Sequence, residues 1–385
     1  MKRYLAAILF LDFCALLYGI NTLSISYNEA QIYFYEHSLV AMLARFGTAI
    51  LGQNDFGLRI PFVLLHSLSC ILLYILARKY TKTSFDAFIS VVLFILLPGS
   101  VASALLINES SIVIFFTLLI LVLFEYKKTI LFYLFLFLVL FVDGNFAILY
   151  LSFFFYAIYK KDKILIGISL VLFAIAMSIY GFDTSGKPKG YFLDTLGIFA
   201  ACFSPLVFLY FFYVIYRVLL QDQKPLLWFI SATTFIFCLI FSIRQKLYLE
   251  DFLPFCVVCT PLLIRYLMSS YRSRMPQLRL KHNIFIECSL VFLVFFYLGI
   301  IFNHSFYYFL KEPKKHFAYD YHIAKELALK LKQRGITKIT AQNEELNLRL
   351  KFYGIEKGKD KLYQTNKITK LNIKLANHNL YYAIK

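Results

Sequence analysis

The sequence predicts an all-helical polytopic membrane protein with a small α/β domain at its C-terminal end. Hydrophobic residues make up 60% of the 385 residues and charged residues only 16%, whereas a soluble domain carries about 25% charged residues. Charge is also unevenly placed, because the stretch from Asn303 onward holds 17 of the 40 basic and seven of the 22 acidic residues. We therefore assign residues 1–302 to a membrane domain, including a first outer loop at 25–59, and residues 303–385 to a soluble domain.

Eleven apolar segments have lengths suited to helices that cross or enter a bilayer. The first follows Lys2 and Arg3 but lacks a small-residue cleavage pattern, so we expect it to be retained as a helix. The segments cover residues 4–24, 60–77, 85–101, 110–124, 129–142, 146–159, 164–182, 196–216, 225–243, 252–268 and 284–302.

The basic residues between these segments predict their orientation. With the N-terminus in the cytoplasm, the inner segments hold 17 lysines and arginines and the outer loops before Asn303 hold six, as the positive-inside rule requires. An odd number of spans then places residues 303–385 outside. In that tail, "YHIAKELALKLKQRG" predicts a helix, "ITKIT" a strand, and "NEELNLRLKFYG" a second helix ending at Gly354.

Composition excludes several classes of protein. The apolar content is too high for a disordered or fibrous chain. A nucleic-acid-binding role is disfavoured in spite of the net charge of +18, because the basic residues occur as short clusters between apolar runs. The seven cysteines lie within apolar stretches and show neither zinc-ligand spacing nor a disulfide framework.

Carboxylates near the outer ends of the spans are the first candidates for chemistry. Glu29 follows the first span, and Glu36 and His37 stand seven and eight residues later, on roughly one face if the segment is helical. A carboxylate beside apolar surface could act as general base on an acceptor hydroxyl. The alternative is that Glu29 only caps a loop helix.

Glu109, at the start of the fourth span, is the second candidate carboxylate. Two outer acids could hold a divalent cation against a phosphate, with Glu29 and Glu109 as the ligands. Helix capping is the alternative interpretation of Glu109, because an acid in the first turn suits the helix dipole.

A charged segment between the ninth and tenth spans is the candidate phosphate site. Arg244 and Lys246 offer donors for a phosphate at headgroup level, and Glu250 and Asp251 follow them. An ordinary exposed charged loop is the alternative interpretation.

Several segments in collinear order resemble one family, the polytopic GT-C glycosyltransferases of the protein O-mannosyltransferase and lipid A aminoarabinose-transferase type (glycosyltransferase family 39-like). They are "SYNEAQIYF", "LARFGTAILGQNDFGLRIPFVLLHSLSCILLYILARKY" and "LLPGSVASALLINESSIVIFFTLLILVLFEYKK", followed by "LGIFAACFSPLVFL", "EDFLPFCVVCTPLL" and "NEELNLRLKFYG". The positions that fit the family pattern are Gly47, Thr48, Ala49, Gly52, Arg59, Pro61, Ala77 and Arg78. Asn28 stands where the family has a catalytic Asp, which leaves Glu29 as the carboxylate of that pair.

The resemblance implies a GT-C fold and transfer of a sugar from a polyprenyl-phosphate carrier to a lipid, glycan or protein acceptor on the extracytoplasmic face. On this interpretation Glu29 and Glu109 are catalytic, Arg244 and Lys246 bind the donor phosphate, and Asn28, Glu36, His37, Glu250 and Asp251 support them. No nucleotide cofactor is expected. By analogy with bacterial members, the protein would lie in the inner membrane with a periplasmic tail.

Two other functions stay open. A transporter or flippase would use the intramembrane acids Asp12, Asp143 and Glu287 as a proton or substrate path, although we find no internal repeat. A non-catalytic member of the GT-C fold would bind a polyprenyl phosphate and transfer nothing, as a consequence of Asn28.

Overall fold

The computed structural model describes residues 1–181, 190–246, 249–275, 277, 279–365, 369 and 371–384; of residues 249, 250 and 281 it describes the main chain. These residues form two compact units. The bundle unit contains Met1–Asp12, Leu64–Ser103 and Glu109–Tyr297, and the loop–tail unit contains Phe13–Val63, Ala104–Asn108 and Leu298–Lys385. The first loop and the tail thus belong to the same compact unit. The domain bounds 1–302 and 303–385 stay predictions.

Helices make up most of the described chain. They are α1 (Lys2–Thr22), α2 (Tyr27–Tyr35), α3 (Leu39–Leu51), α4 (Asp55–Tyr80), α5 (Ser84–Leu96), α6 (Pro98–Leu105), α7 (Ser110–Glu125), α8 (Thr129–Leu138), α9 (Ala147–Lys160), α10 (Lys163–Tyr180), α11 (Phe192–Phe203), α12 (Pro205–Leu219), α13 (Leu226–Ser242), α14 (Leu249–Val257), α15 (Thr260–Ser273), α16 (Arg279–Ile301), α17 (Ala324–Gln333) and α18 (Glu344–Phe352).

The apolar helices confirm the predicted polytopic membrane architecture. Among the described residues, five helical stretches are long and apolar enough to cross a membrane, or seven if each of two bent pairs counts as one span. Each of the eleven predicted segments coincides with a helix or with a bent pair of helices.

Two predicted spans are bent pairs of helices. The segment 196–216 contains α11 and α12, which meet at 107°. Ser204 at the junction has φ +65° and precedes Pro205, and both features end a right-handed helix. A similar bend of 62° separates α5 from α6 at Leu97–Pro98.

A buried polar network joins three helices of the bundle unit. Nε2 of His66 on α4 lies 3.1 Å from Oδ2 of Asp12 on α1, and the Tyr297 hydroxyl on α16 donates to Oδ1 of Asp12 at 2.9 Å. Asp12, for which the sequence offered no obvious partner, is therefore a packed polar contact. The remaining core consists of close-packed aliphatic and aromatic side chains.

In the loop–tail unit, the first loop folds into α2 and α3, and α3 packs very closely against the start of α4. A Cβ added to Gly47 would lie 2.2 Å from the Gly57 carbonyl oxygen, and one added to Gly57 would lie 2.4 Å from the Gly52 carbonyl oxygen. Real Cβ contacts are never this short, so glycine at these two positions permits the close approach of the two main chains.

The tail folds as a small α/β domain, as predicted. Helix α17, strand β1 (Lys338–Ala341) and helix α18 confirm the predicted helix–strand–helix order. Three further strands were not predicted: β2 (Glu356–Thr365), β3 (Leu371–Leu375) and β4 (His378–Ile384). The sheet order is β1-β2-β4-β3, with β1 parallel to β2 and the other pairs antiparallel. Helix α17 packs on this sheet through buried leucines.

Candidate active site

The candidate active site of the loop–tail unit is centred on a buried carboxylate at the start of α2. Ser26 caps this helix, because its hydroxyl accepts from the Glu29 main-chain N–H at 3.3 Å while Oε2 of Glu29 accepts from the Ser26 N–H at 2.9 Å. This reciprocal capping box explains why the chain turns into a helix directly after α1. Glu29 is only 2% exposed, so its side chain is directed into the protein.

Arg59 neutralises Glu29. Its Nη2 atom lies 2.7 Å from Oε2 of Glu29, and the guanidinium is fully buried. Arg59 also donates to the main-chain carbonyls of Leu105 (2.9 Å) and Ser24 (3.0 Å), while the other Glu29 oxygen accepts from the Ile107 N–H at 3.1 Å. One ion pair therefore fixes the end of α1, the start of α2, α4 and residues 104–108 relative to one another.

Asp55 adds a second carboxylate to this network. Its Oδ1 atom lies 3.5 Å from Nη1 of Arg59 and accepts from the Tyr353 hydroxyl at 2.6 Å, and its Oδ2 atom lies 3.2 Å from Nζ of Lys325. Burial, together with the Asp55 carboxylate, raises the pKa of Tyr353 well above its ordinary value, so this phenol stays protonated and donates.

The tail contributes a buried arginine as well. Nε of Arg349 donates to the Ile25 carbonyl at 2.9 Å, and its guanidinium also donates to the Asp320 carbonyl. The Ile25 N–H in turn donates to the Tyr353 hydroxyl at 3.0 Å. Helix α18 therefore holds the main chain at Ile25 through two side chains.

The charges of the network balance. Arg59, Lys325 and Arg349 face the carboxylates of Glu29, Asp55 and Asp320, the last of which acts on the Arg349 guanidinium. Lys325 is the cation nearest to solvent, with 28% of its side chain exposed.

The geometry changes the interpretation of Glu29. A general base needs a lone pair open to the acceptor hydroxyl, whereas three donors surround this buried carboxylate. Glu29 is also a poor ligand for a divalent cation, because the Arg59 guanidinium occupies the place of the cation. Among the residues that the structure describes, no group of three or more His, Cys, Asp or Glu side chains is placed to hold a metal ion.

The other predicted residues of the first loop lie at its surface. Asn28, Glu36 and His37 are exposed. Helix α2 ends at Tyr35 and Glu36 has the extended φ and ψ values of −84° and 157°, so the prediction that Glu29, Glu36 and His37 share one helix face is wrong. The Glu36 carboxylate instead accepts from the Ser38 hydroxyl at 3.1 Å.

Glu109, Arg244 and Lys246 belong to the bundle unit. Glu109 is half-buried at the N-cap position of α7, where an acid suits the helix dipole, and its side chain makes no capping hydrogen bond. Arg244 and Lys246 are exposed after the end of α13, and Asp251 is half-buried in α14. The side chain of Glu250 lies outside the described residues. The proposed roles of these residues remain predictions.

The three acids of the transporter interpretation have different surroundings. Asp12 contacts His66 and Tyr297. Asp143 caps a short 3-10 turn and accepts from the Asn145 N–H at 2.8 Å. Glu287 is exposed on α16. The contacts of Asp12 and Asp143 thus involve different residues.

Comparison with solved structures shows that the chain shares the fold of ArnT along 92% of its length, which is the fold that the sequence resemblance predicted. The chain is similar to ArnT from Cupriavidus metallidurans in the apo state (TM-score 0.58, 13% identity, 92% of this chain and 85% of that chain). It is also similar to ArnT from Cupriavidus metallidurans bound to undecaprenyl phosphate (TM-score 0.55, 11% identity, 92% and 84%). No family model and no curated protein sequence matches the chain.

Sequence reasoning missed four members of the network: Asp55, Lys325, Arg349 and Tyr353. One signal was available, since Asp55 and Arg59 are four residues apart at the start of a helix and such pairs face each other. The other three lie about 300 residues from their partners along the chain, and no local pattern links them.

Proposed function

We propose that this protein is a membrane glycosyltransferase that moves a sugar from a polyprenyl-phosphate carrier to a lipid, glycan or protein acceptor on the extracytoplasmic face. The observation that carries the proposal is the GT-C fold along 92% of the chain, shared with a structure bound to undecaprenyl phosphate. The apolar helices provide a membrane setting for such a carrier. The bacterial inner membrane, with the tail in the periplasm, is the proposed location.

In the proposed reaction, an acceptor oxygen attacks the anomeric carbon of the sugar. The bond between that carbon and the carrier phosphate oxygen breaks with inversion, and the acceptor proton passes to a carboxylate. We assign that carboxylate to Glu109. Arg244 and Lys246 bind the carrier phosphate, which leaves with the bonding electron pair.

Glu29 takes a different role from the one first predicted. Because it is paired with Arg59 and 2% exposed, we propose that it is a positioning residue that sets the conformation of the first loop. Asn28, its exposed neighbour on α2, keeps the supporting role first predicted for it. Glu29 is not assigned the role of a metal ligand in this mechanism, because its carboxylate is paired with Arg59.

The test compares cells that lack the gene with cells that carry wild-type, Glu109→Gln or Glu312→Gln copies. We expect the null and Glu109→Gln cells to lose one sugar from an envelope glycan and to accumulate the polyprenyl-phosphate sugar, both measured by mass spectrometry. Glu312 is a matched control because it is an exposed carboxylate of the tail, and its variant should behave as wild type. An unchanged glycan and lipid pool in the null cells would contradict the proposal.

One observation favours a second candidate, a non-catalytic GT-C protein that binds a polyprenyl phosphate. The family's catalytic Asp is replaced by Asn28, and the adjacent Glu29 forms a buried ion pair with Arg59. Such a protein would retain the lipid, while purified protein would release no free carrier phosphate from a labelled polyprenyl-phosphate sugar in the presence of envelope acceptors.

A further inference from the structure

A groove in the bundle unit combines an apolar floor with a polar end. Side chains of α5, α12, α15 and α16 line its apolar part, among them Leu93, Val207, Leu263 and Leu293. Leu290 is 48% exposed, so the groove opens at the surface of the unit. Its volume is about 620 Å³, including the part open to solvent.

The polar end adjoins the apolar part directly, because Tyr210 and Phe285 line both. The other residues of the polar end are Tyr213, Ser270, Arg274 and His282. None of these lining residues is acidic, and the single arginine therefore makes this end cationic. The groove thus has the polarity of an amphiphile with an anionic head.

His282 gives an independent indication of a ligand. The residue is 9% exposed, and its Nε2 atom is buried without a hydrogen-bond partner among the described residues. Buried polar nitrogens are normally satisfied by a hydrogen-bond partner. A phosphate oxygen at the polar end would supply the partner of Nε2 beside the Arg274 guanidinium.

The length of the groove matches a lipid that occupies one leaflet of the bilayer. From His282 to Leu293 the groove follows 11 residues of α16, or about 16 Å at 1.5 Å per residue. Half of a bilayer's hydrocarbon core is about 15 Å thick. We propose that the groove binds one anionic glycerophospholipid, with its phosphate at Arg274 and His282 and one acyl chain along α16.

The groove also lies apart from the proposed donor-phosphate residues along the helices. Arg274 and His282 flank the connection between α15 and α16, where the positive-inside rule places basic clusters facing the cytoplasm. Arg244 and Lys246 follow the opposite end of a neighbouring span, α13. The lipid site is thus independent of the proposed glycosyl transfer.

The test uses the full chain reconstituted in phosphatidylcholine nanodiscs that contain phosphatidylglycerol at about one lipid in ten. The protein is then extracted into mild detergent, and retained lipid is counted by native mass spectrometry. We expect about one phosphatidylglycerol per wild-type chain and an at least fivefold lower occupancy for Arg274→Glu. Arg265→Glu is the matched control, since Arg265 is an exposed arginine of the same helix that does not line the groove.

A second variant distinguishes a loss of lipid binding from a loss of folding. Ser289→Phe fills the apolar part of the groove without changing charge, and we expect it to lower phosphatidylglycerol retention to a similar degree. Equal losses in Arg274→Glu and Arg265→Glu would show non-specific attraction of anionic lipid and overturn the proposal. It would also be overturned if phosphatidylcholine were retained equally well, or if millimolar inorganic phosphate displaced the lipid, because the acyl chain would then contribute nothing.

Discussion

The hydroxyl of Tyr353 lies 2.6 Å from the Oδ1 atom of Asp55, although 298 residues separate them in the sequence. The same hydroxyl accepts from the Ile25 N–H, so one phenol contacts both the end of the first span segment and the start of α4. Together with the Glu29–Arg59 pair, it makes the first loop and the tail parts of one buried polar network.

Removing this hydroxyl should destabilise the loop–tail unit. Tyr353→Phe removes one donor to the buried Asp55 oxygen and leaves the Ile25 N–H without its partner, and we expect a loss of about 1–3 kcal/mol in the free energy of unfolding. Denaturant unfolding of the detergent-solubilised protein measures it. Tyr363→Phe is a suitable control because Tyr363 is 39% exposed on β2; equal losses in the two variants would contradict the assignment.

The Glu29–Arg59 pair should show strong energetic coupling. Arg59→Met leaves the Glu29 carboxylate buried without its cation, and we expect a loss of about 3–5 kcal/mol in the free energy of unfolding. The double variant Glu29→Gln, Arg59→Met should lose less than the sum of the two single variants. Additive losses in the double-mutant cycle would mean that the two side chains act independently.

The close approach of α3 and α4 predicts a selective effect of added methyl groups. Gly47→Ala forces a Cβ against the Gly57 carbonyl, and we expect at least 2 kcal/mol of destabilisation, in the range for overpacked sites. Gly167→Ala, in the interior of α10 with nothing within 4 Å of the added Cβ, should instead be neutral or stabilising by up to about 1 kcal/mol. Thermal unfolding of the two variants in the same detergent distinguishes these outcomes.

The buried histidines of the tail should make its stability depend on pH. His322 lies between the Tyr307 hydroxyl (2.9 Å from Nδ1) and Oδ1 of Asn303 (2.7 Å from Nε2). Burial, with smaller contributions from His316, His304 and Arg349, lowers the pKa of His322 to about 3. Burial also lowers the pKa of His316.

The direction of this pH dependence follows from the protons that the folded and unfolded chains bind. Between pH 6.5 and about 3 the unfolded chain binds a proton at His322 that the folded chain does not, so stability falls as the pH falls through that range. The limiting slope is about 1.4 kcal/mol per pH unit for one group. Hydrogen exchange of the α17 amides at several pH values measures it, and His322→Gln should flatten the profile while His37→Gln should not. A wild-type profile without slope below pH 6 would rule out this account.

The fold was largely predictable because a bilayer imposes simple demands on sequence. In a bilayer, the main-chain polar groups of long apolar runs can form their hydrogen bonds only within helices. The runs 60–77 and 284–302 accordingly coincide with the helices α4 and α16. The bend at Ser204 was not predicted, since the apolar run continues through it. Strand β2 was missed because "EKGKDKLYQT" is polar and mostly exposed, and its conformation depends on pairing with β1 and β4.

The candidate site was less predictable than the fold. The sequence identified Glu29 as an unusual carboxylate, but its burial and its pairing with Arg59 are consequences of tertiary packing. Lys325, Arg349 and Tyr353 occur in a tail whose many charges are mainly exposed, so composition could not distinguish them. The i, i+4 spacing of Asp55 and Arg59 was the only local indication.

The order in which the chain leaves the ribosome gives the Tyr353 and Arg349 contacts a further meaning. Domains generally fold from the N-terminal side during synthesis, yet the main chain at Ile25 finds its partners only after some 320 further residues have been made. The first loop therefore lacks its contacts with Arg349 and Tyr353 while the intervening helices are inserted. Completion of the first loop is thus a late step in synthesis, because residues made much later supply the contacts of Ile25.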